Sequence, residues 1–260
     1  MLRFFRVLYR IDRLHYLYEK GTFRKENRAF REHFPEVPLP PDYLLYESYQ
    51  LHYEKYYSGG FESARWLTDH LFRHTSLENA KILDWGCGPG RIIRHLPQCT
   101  GEGCEFYATD YNPKSIDWCK KNLPGIHFNL NSADAELPWP DQFFDVIYGY
   151  SVLTHLSEEK HTQWYNELTR ILKSGGILFL TTQGKYYREK LTEKERKAFN
   201  QGRLVVRGKV KEGHRTFSAF HPTAFMHALF RDAEILEHIE PEPLPGKAIP
   251  QDIWIIKKRK

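Results

Sequence analysis

The sequence predicts an α/β fold, a mostly parallel sheet with helices on both faces. Three observations predict it. Between residues 81 and 182, short apolar runs alternate with helix-patterned segments, the pattern of a parallel sheet. The first run ends in a glycine-rich turn, LDWGCGPGR (83–91), with Gly86, Gly88 and Gly90 in five positions. The second run ends on an acid, Asp110.

The elements follow in order. Residues 1–34 read as helix, with Phe4, Leu8, Ile11 and Leu14 at helical spacing. Residues 1–35 hold nine Arg or Lys and four Asp or Glu. Such a basic amphipathic segment packs on its own domain or rests on a membrane surface, here through residues 1–18. A Pro-rich break, FPEVPLPPD (34–42), comes next. A Tyr-rich helix then runs to about Tyr57, with Tyr46, Tyr49, Tyr53 and Tyr56 on one face, and Ser58, Gly59 and Gly60 are expected to end it. Residues 1–60 are thus read as a helical extension able to act as a lid, and residues 61–260 as the main domain.

A helix carrying Ala64, Leu67 and Leu71 leads into the sheet. Strands are expected at 81–85, 104–110, 126–130, 144–150 and 177–182. Helices are expected at 89–96 and 113–122, and from the N-cap Ser157, with Trp164, Leu168, Ile171 and Leu172 inward, to a stop at Gly175–Gly176. Residues 185–222 read as an insertion: a charged helix at 185–200, then strands at 203–210 and 215–220. Helix 223–230 and strands 233–239 and 252–258 finish the chain.

Composition excludes several classes. No run is long and apolar enough for a transmembrane helix. The net charge is +5, too weak for a dedicated nucleic-acid binder. Cys87, Cys99, Cys104 and Cys119 form no CxxC pair and no zinc set, so reduced thiols in a cytoplasmic protein are expected, with no metal.

Glycines at a strand-to-helix turn permit positive φ and close approach of a ligand. In an open parallel sheet the ligand binds at the carboxyl ends of the strands. The turn therefore reads as a nucleotide-type site. It departs from GxGxxG because Arg91 holds the third position. Asp84 ahead of it would repel a pyrophosphate and suits a ligand with a positive charge. Asp110 stands where a ribose-hydroxyl acceptor belongs, and Asp134 follows the third strand.

ILDWGCGPGR, ATDYNP, NSADAELPWPDQFFDVIYGYSVLTHL and LTRILKSGGILFLTT resemble the successive motifs of class I S-adenosylmethionine-dependent methyltransferases. The resemblance covers roughly residues 61–182. It implies a Rossmann-like, seven-stranded, mostly parallel sheet with an antiparallel final strand, and S-adenosyl-L-methionine as cofactor. It places Gly86, Cys87 and Gly88 on the amino-acid part of the cofactor and Asp84 at its ammonium. It places Asp110 at the ribose, Tyr111 over the adenine, Asp134 and Ala135 at the adenine edge, and Tyr150 on the methyl side.

Two residues are candidate bases: His155, after the fourth strand, and His221. His214, Arg215 and Gln183 are candidate acceptor contacts. The GHRTFSAFHP and PQDIWIIKKRK stretches more loosely resemble bacterial enzymes of sugar and glycan biosynthesis, which implies O-methylation of a small molecule or glycan. An RNA or protein methyltransferase using the basic N-terminal arm is an alternative, and so is a non-catalytic cofactor-binding protein.

Overall fold

A computed structural model describes residues 2–208, 212–213 and 216–260, with side chains from residue 12 onward. The N-terminal helices are α1 (Leu2–Thr22), α2 (Arg24–His33), α3 (Asp42–Ser48) and α4 (Tyr53–Leu71). The sheet and its helices follow as β1 (Lys81–Trp85), β2 (Glu105–Asp110), α5 (Pro113–Asn122), β3 (Ile126–Leu130) and β4 (Phe144–Gly149). Next come α6 (Glu158–Ile171), β5 (Leu172–Thr182), α7 (Glu193–Asn200), β6 (Val205–Arg207) and β7 (Ser218–Phe220). The last elements are α8 (Thr223–Leu229), β8 (Ala233–Ile239) and β9 (Asp252–Lys258).

Seven strands pair in the order β3-β2-β1-β4-β5-β9-β8. All pairs from β3 to β5 are parallel, and β9 runs antiparallel to both its neighbours. The chain moves outward from β1 to β3, then returns to β1's other side as β4. That reversal opens a crevice at the carboxyl ends of β1 and β4. Neighbouring residues on a strand point to opposite faces. Ile82 and Val146 therefore join α4 and α5 in one core layer, while Leu83 and Ile147 join α6 and α8 in the other. Among the described residues, no helix is long and apolar enough to cross a membrane.

Several boundaries differ from the expectation. The helix expected over residues 1–34 is interrupted at Phe23, which separates α1 from α2. Ser58, Gly59 and Gly60 do not end a helix; α4 runs through them, so the division expected at residue 60 falls inside it. Gly60 is a packing position, because a Cβ there would collide with the Arg91 carbonyl. The true break lies at Tyr49–His52, where His52 Nδ1 accepts the Lys55 N–H. Tyr46 and Tyr49 therefore sit on a different helix segment from Tyr53 and Tyr56, and Tyr49 is exposed while the other three are buried.

The segment behind the glycine turn is a 3-10 helix, Ile93–Gln98, with Pro97 inside it, and not an α-helix. α6 stops at Ile171. Leu172 already belongs to β5, and Gly175 sits within that strand at φ 80°. The insertion splits its charged segment into a 3-10 turn, Lys185–Lys190, and α7. β6 and β7 pair antiparallel, a shorter hairpin than the sequence suggests.

Candidate active site

The glycine turn lies at the carboxyl end of β1, next to the tip of β2. Gly86 and Cys87 both donate their N–H to the Thr109 carbonyl (2.8 and 3.0 Å). Asp110 closes the arrangement: one carboxylate oxygen accepts the Gly88 N–H and the other the Asn112 N–H, each at 2.8 Å. Gly86 has φ 78°, and a Cβ there would sit 2.5 Å from Val152 Cγ2. Only glycine meets both conditions.

Asp84 is buried at 3% exposure, and Tyr148 on the facing strand donates its hydroxyl at 2.6 Å. Burial pushes its pKa up to about 7, with the Asp110 charge adding to the rise and the Tyr148 hydrogen bond opposing it. Burial also raises the Asp110 carboxyl above its ordinary value. Cys87 is buried, and desolvation lifts its thiol well above the usual range, so it offers a small side chain and backbone groups instead of a nucleophile.

These groups line a pocket of about 760 Å³, inside the range of small-molecule and cofactor sites, about 300–1,000 Å³. Tyr111 and Asn131–Ala133 border it beyond β2 and β3, and Tyr150–Val152 and His155 beyond β4. Glu19 of α1 and Glu47, Ser48 and Tyr49 around α3 cover it from the N-terminal side. Glu212 and Gly213 of the insertion reach its other side, where the Tyr111 hydroxyl donates to the Gly213 carbonyl at 2.8 Å.

The N-terminal helices are anchored directly on the glycine turn. Tyr56 donates its hydroxyl to the Pro89 carbonyl (2.6 Å), and Arg94 donates to the Pro38 carbonyl (3.0 Å). Arg91 donates to Ser63 Oγ, and its guanidinium lies over the rings of Tyr49 and Tyr150, at 4.5 and 5.3 Å.

Ser151 adopts φ 65°, a left-handed conformation unusual for a residue with a side chain. A ring of hydrogen bonds holds it there: Ser151 N–H to Thr181 Oγ1, Thr181 hydroxyl to Gln251 Oε1, and Gln251 amide to Ser151 Oγ (2.8, 2.6 and 2.7 Å). Tyr150, just before this turn, stays 40% exposed on the pocket wall.

A protein-family model described as a methyltransferase domain matches residues 83–180. The chain carries a class I S-adenosylmethionine-dependent methyltransferase domain. It is 29% identical over 161 residues to a tRNA N(3)-cytidine methyltransferase of Danio rerio, covering 59% of this chain and 44% of that protein. It is 31% identical over 114 residues to a ubiquinone/menaquinone biosynthesis C-methyltransferase of Chromobacterium violaceum, covering 42% and 45%. The chain thus spans less than half the length of these curated relatives. A solved SAM-dependent methyltransferase of Methanosarcina mazei superposes with a TM-score of 0.56 at 20% identity, over 73% of this chain and 97% of that one, and shows the same fold.

Within the methyltransferase domain, Asp84, Gly86, Cys87, Gly88, Asp110, Tyr111, Tyr150 and His155 all border the pocket. Asp134 does not: it is exposed, and its carboxylate pairs with Lys160 at 2.8 Å. Ala135 packs against the core layer that holds Leu137 and Trp164. Asn131, Ser132 and Ala133 line the pocket where Asp134 and Ala135 were expected.

His221 is also displaced from the expected role. It is 1% exposed, lies outside the pocket lining, and shares a 2.9 Å hydrogen bond between its Nε2 and that of His161. His161 Nδ1 faces the Ser157 carbonyl, which can only accept, so its Nε2 accepts the His221 proton. Burial drives the pKa of both rings down, that of His161 to about 4. Gln183 lies outside the pocket lining as well, and its carbonyl accepts the His221 N–H. His214 and Arg215 lie outside the described residues.

His155 is better placed for chemistry. It borders the pocket, and its Nδ1 donates to the Phe217 carbonyl at 2.9 Å, which fixes the direction of the ring. Sequence reasoning missed Arg91, Glu19, Glu47 and Gln251 as pocket residues. Arg91 adjoins the glycine turn and was legible by position. The others come from distant segments and carry no local signal.

Proposed function

We propose that the chain is an active methyltransferase that moves a methyl group from S-adenosylmethionine to an oxygen of a small molecule or glycan. The observation that carries this reading is one covered pocket in which the glycine turn, Asp84 and Asp110 share space with groups from the N-terminal helices and the insertion. The cofactor supplies an electrophilic methyl group on a sulfonium. The residues present suit it. Asp84, a buried carboxylate that accepts the Tyr148 hydroxyl, meets the ammonium. Arg91 meets the carboxylate. Asp110 keeps lone pairs for the ribose hydroxyls beyond its two backbone bonds. Tyr111 lies against the adenine, with Asn131–Ala133 at its edge.

For the transfer itself, the protein's work is alignment and exclusion of water. Tyr150, held by the Ser151 turn, shapes the methyl side. His155, which borders the pocket, is the residue we assign to take the acceptor proton. The insertion supplies acceptor contacts, with Arg215, two residues beyond Gly213, the strongest in charge. Arg215→Ala is expected to leave cofactor affinity within about twofold and to lower kcat/KM at least about tenfold.

A second reading, an RNA acceptor, is favoured by the similarity to a tRNA methyltransferase and by the basic N-terminal segment. One experiment separates these readings. The protein is incubated with methyl-labelled S-adenosylmethionine and three separate pools: metabolite and glycan extract, total tRNA, and protein extract. Label in the first pool supports the proposal. Label only in tRNA, falling steeply with salt, replaces it with the RNA reading. Label only in protein replaces it with a protein acceptor. Cofactor binding with no label anywhere replaces it with a non-catalytic role.

A further inference from the structure

The β8–β9 edge of the sheet, outside the pocket lining, brings three metal-type ligands together. β8 pairs antiparallel with β9, setting His238 opposite Trp254 and Ile239 opposite Ile253. That register puts Glu240, just after β8, beside Asp252, which opens β9. The ligand atoms of His238, Glu240 and Asp252 all lie within 4.8 Å of one another. His238 Nε2 is 3.4 Å from Asp252 Oδ2. The His238 ring is stacked on Trp254, centroids 3.6 Å apart and planes 11° from parallel, so its direction is held.

Asp252 is the telling member. It is 1% exposed, and its Oδ1 has no hydrogen-bond partner. Buried polar atoms are nearly always paired, and an uncompensated buried carboxylate is costly. Gly184, at the end of β5, makes the space: a Cβ there would run into both Asp252 oxygens. Glu240 meanwhile holds Lys185 at 3.2 Å on the exposed side.

We propose that His238, Glu240 and Asp252 form a binding site for a divalent transition-metal ion of the zinc type. One imidazole with two carboxylates is a donor set such an ion accepts, whereas Mg²⁺ and Ca²⁺ favour oxygen alone. Two ligands on a tetrahedral zinc stand about 3.4 Å apart. The His238–Asp252 pair already has that spacing. Glu240 closes the site by exchanging Lys185 for the ion. The bound ion joins the end of β8 to the start of β9. It thereby fixes the loop 240–251, whose last residue, Gln251, supports the Ser151 turn. The site is independent of which acceptor the pocket takes.

The test is calorimetric titration of Zn²⁺ into the chelator-stripped full chain, repeated with Asp252→Asn, His238→Gln and Glu240→Gln. A single Zn²⁺ per chain is expected, with a raised Tm and a Co²⁺ complex showing visible d–d absorption. Each variant should weaken Zn²⁺ binding by at least about tenfold while S-adenosylhomocysteine binding persists. The partly exposed His238 and Glu240 decide the matter if Asp252→Asn does not fold. No Zn²⁺ binding by the wild type overturns the proposal. So does equal binding in the His238→Gln and Glu240→Gln variants, which would trace the zinc to other histidines or thiols.

Discussion

The two walls of the pocket are built in different ways. The glycine-turn wall is made by neighbours in sequence, Asp84 to Gly88 and Asp110, bound through backbone N–H groups to Thr109 and Asp110. The facing wall is assembled from α1, α3, His155, the insertion and Gln251. Its contacts join residues far apart, such as Tyr111 with Gly213 and Ser151 with Gln251, separated by 102 and 100 positions. The first wall needs a few fixed residue types at fixed spacing. The second needs only that distant segments pack, so its chemistry can change without disturbing the glycine turn.

The sharpest way to break this comparison is to damage the glycine-turn wall alone. Gly86→Ala forces a Cβ toward Val152 at φ 78°. The cost should be about 2–5 kcal/mol of stability, read from denaturant midpoints, with cofactor binding abolished. A variant that keeps both would show that the turn is not rigidly held.

The next test uses charge. An unfolded carboxyl loses its proton near 3.8, whereas buried Asp84 holds its proton to about 7. Between those values the unfolded state binds fewer protons, so this group's contribution to stability falls as pH rises. An ammonium partner relieves that cost by favouring the charged form. Below about pH 7, binding must therefore release a proton, and affinity should drop up to about tenfold per unit of acidification. Calorimetry across about pH 5.5 to 8, in buffers of different ionisation enthalpy, measures both. Affinity independent of pH would remove Asp84 from the ammonium site.

Of the two candidate bases, His221 can be tested through its buried partner His161. His161 and His221 have folded pKa values lowered from 6.5, that of His161 to about 4. The unfolded state binds more protons in that window. The pair's contribution is intact above about pH 6.5 and falls with acidification, by up to about 1.4 kcal/mol per pH unit per group. The His161 ring resonances should show no titration above about pH 5, and those of His221 none near its ordinary value. Titration of His221 near pH 6.5 would restore it as a base.

The smallest effect is expected at Asp134. Its exposed carboxylate meets Lys160 away from the pocket, and such surface pairs contribute little. Asp134→Ala should leave cofactor affinity within about twofold. A larger loss, with unchanged folding, would return Asp134 to the adenine edge.

What was legible in the sequence follows the same division. The mostly parallel sheet and the glycine turn could be read because alternating apolar runs set the sheet and the glycines require positive φ. Gly59–Gly60 misled because a glycine pair looks like a helix stop, while here Gly60 serves close packing on Arg91. Gly175 misled in the same way within β5. Asp134 misled because its surface pairing with Lys160, 26 residues on, has no local signature. His221 looked reactive because burial cannot be seen in a lone histidine. Asp252 drew no attention, since its partners His238 and Glu240 meet it only through strand pairing.

The central claim is that the glycine-turn wall, fastened by Asp110, holds S-adenosylmethionine. Titrating S-adenosylhomocysteine calorimetrically into the wild type and Asp110→Ala tests it most directly. The account predicts one binding site in the wild type and a loss of about 1.5–3 kcal/mol in the variant, roughly 10- to 150-fold in affinity, with folding confirmed by circular dichroism. No binding by the wild type, or equal affinity in a folded Asp110→Ala, would contradict it.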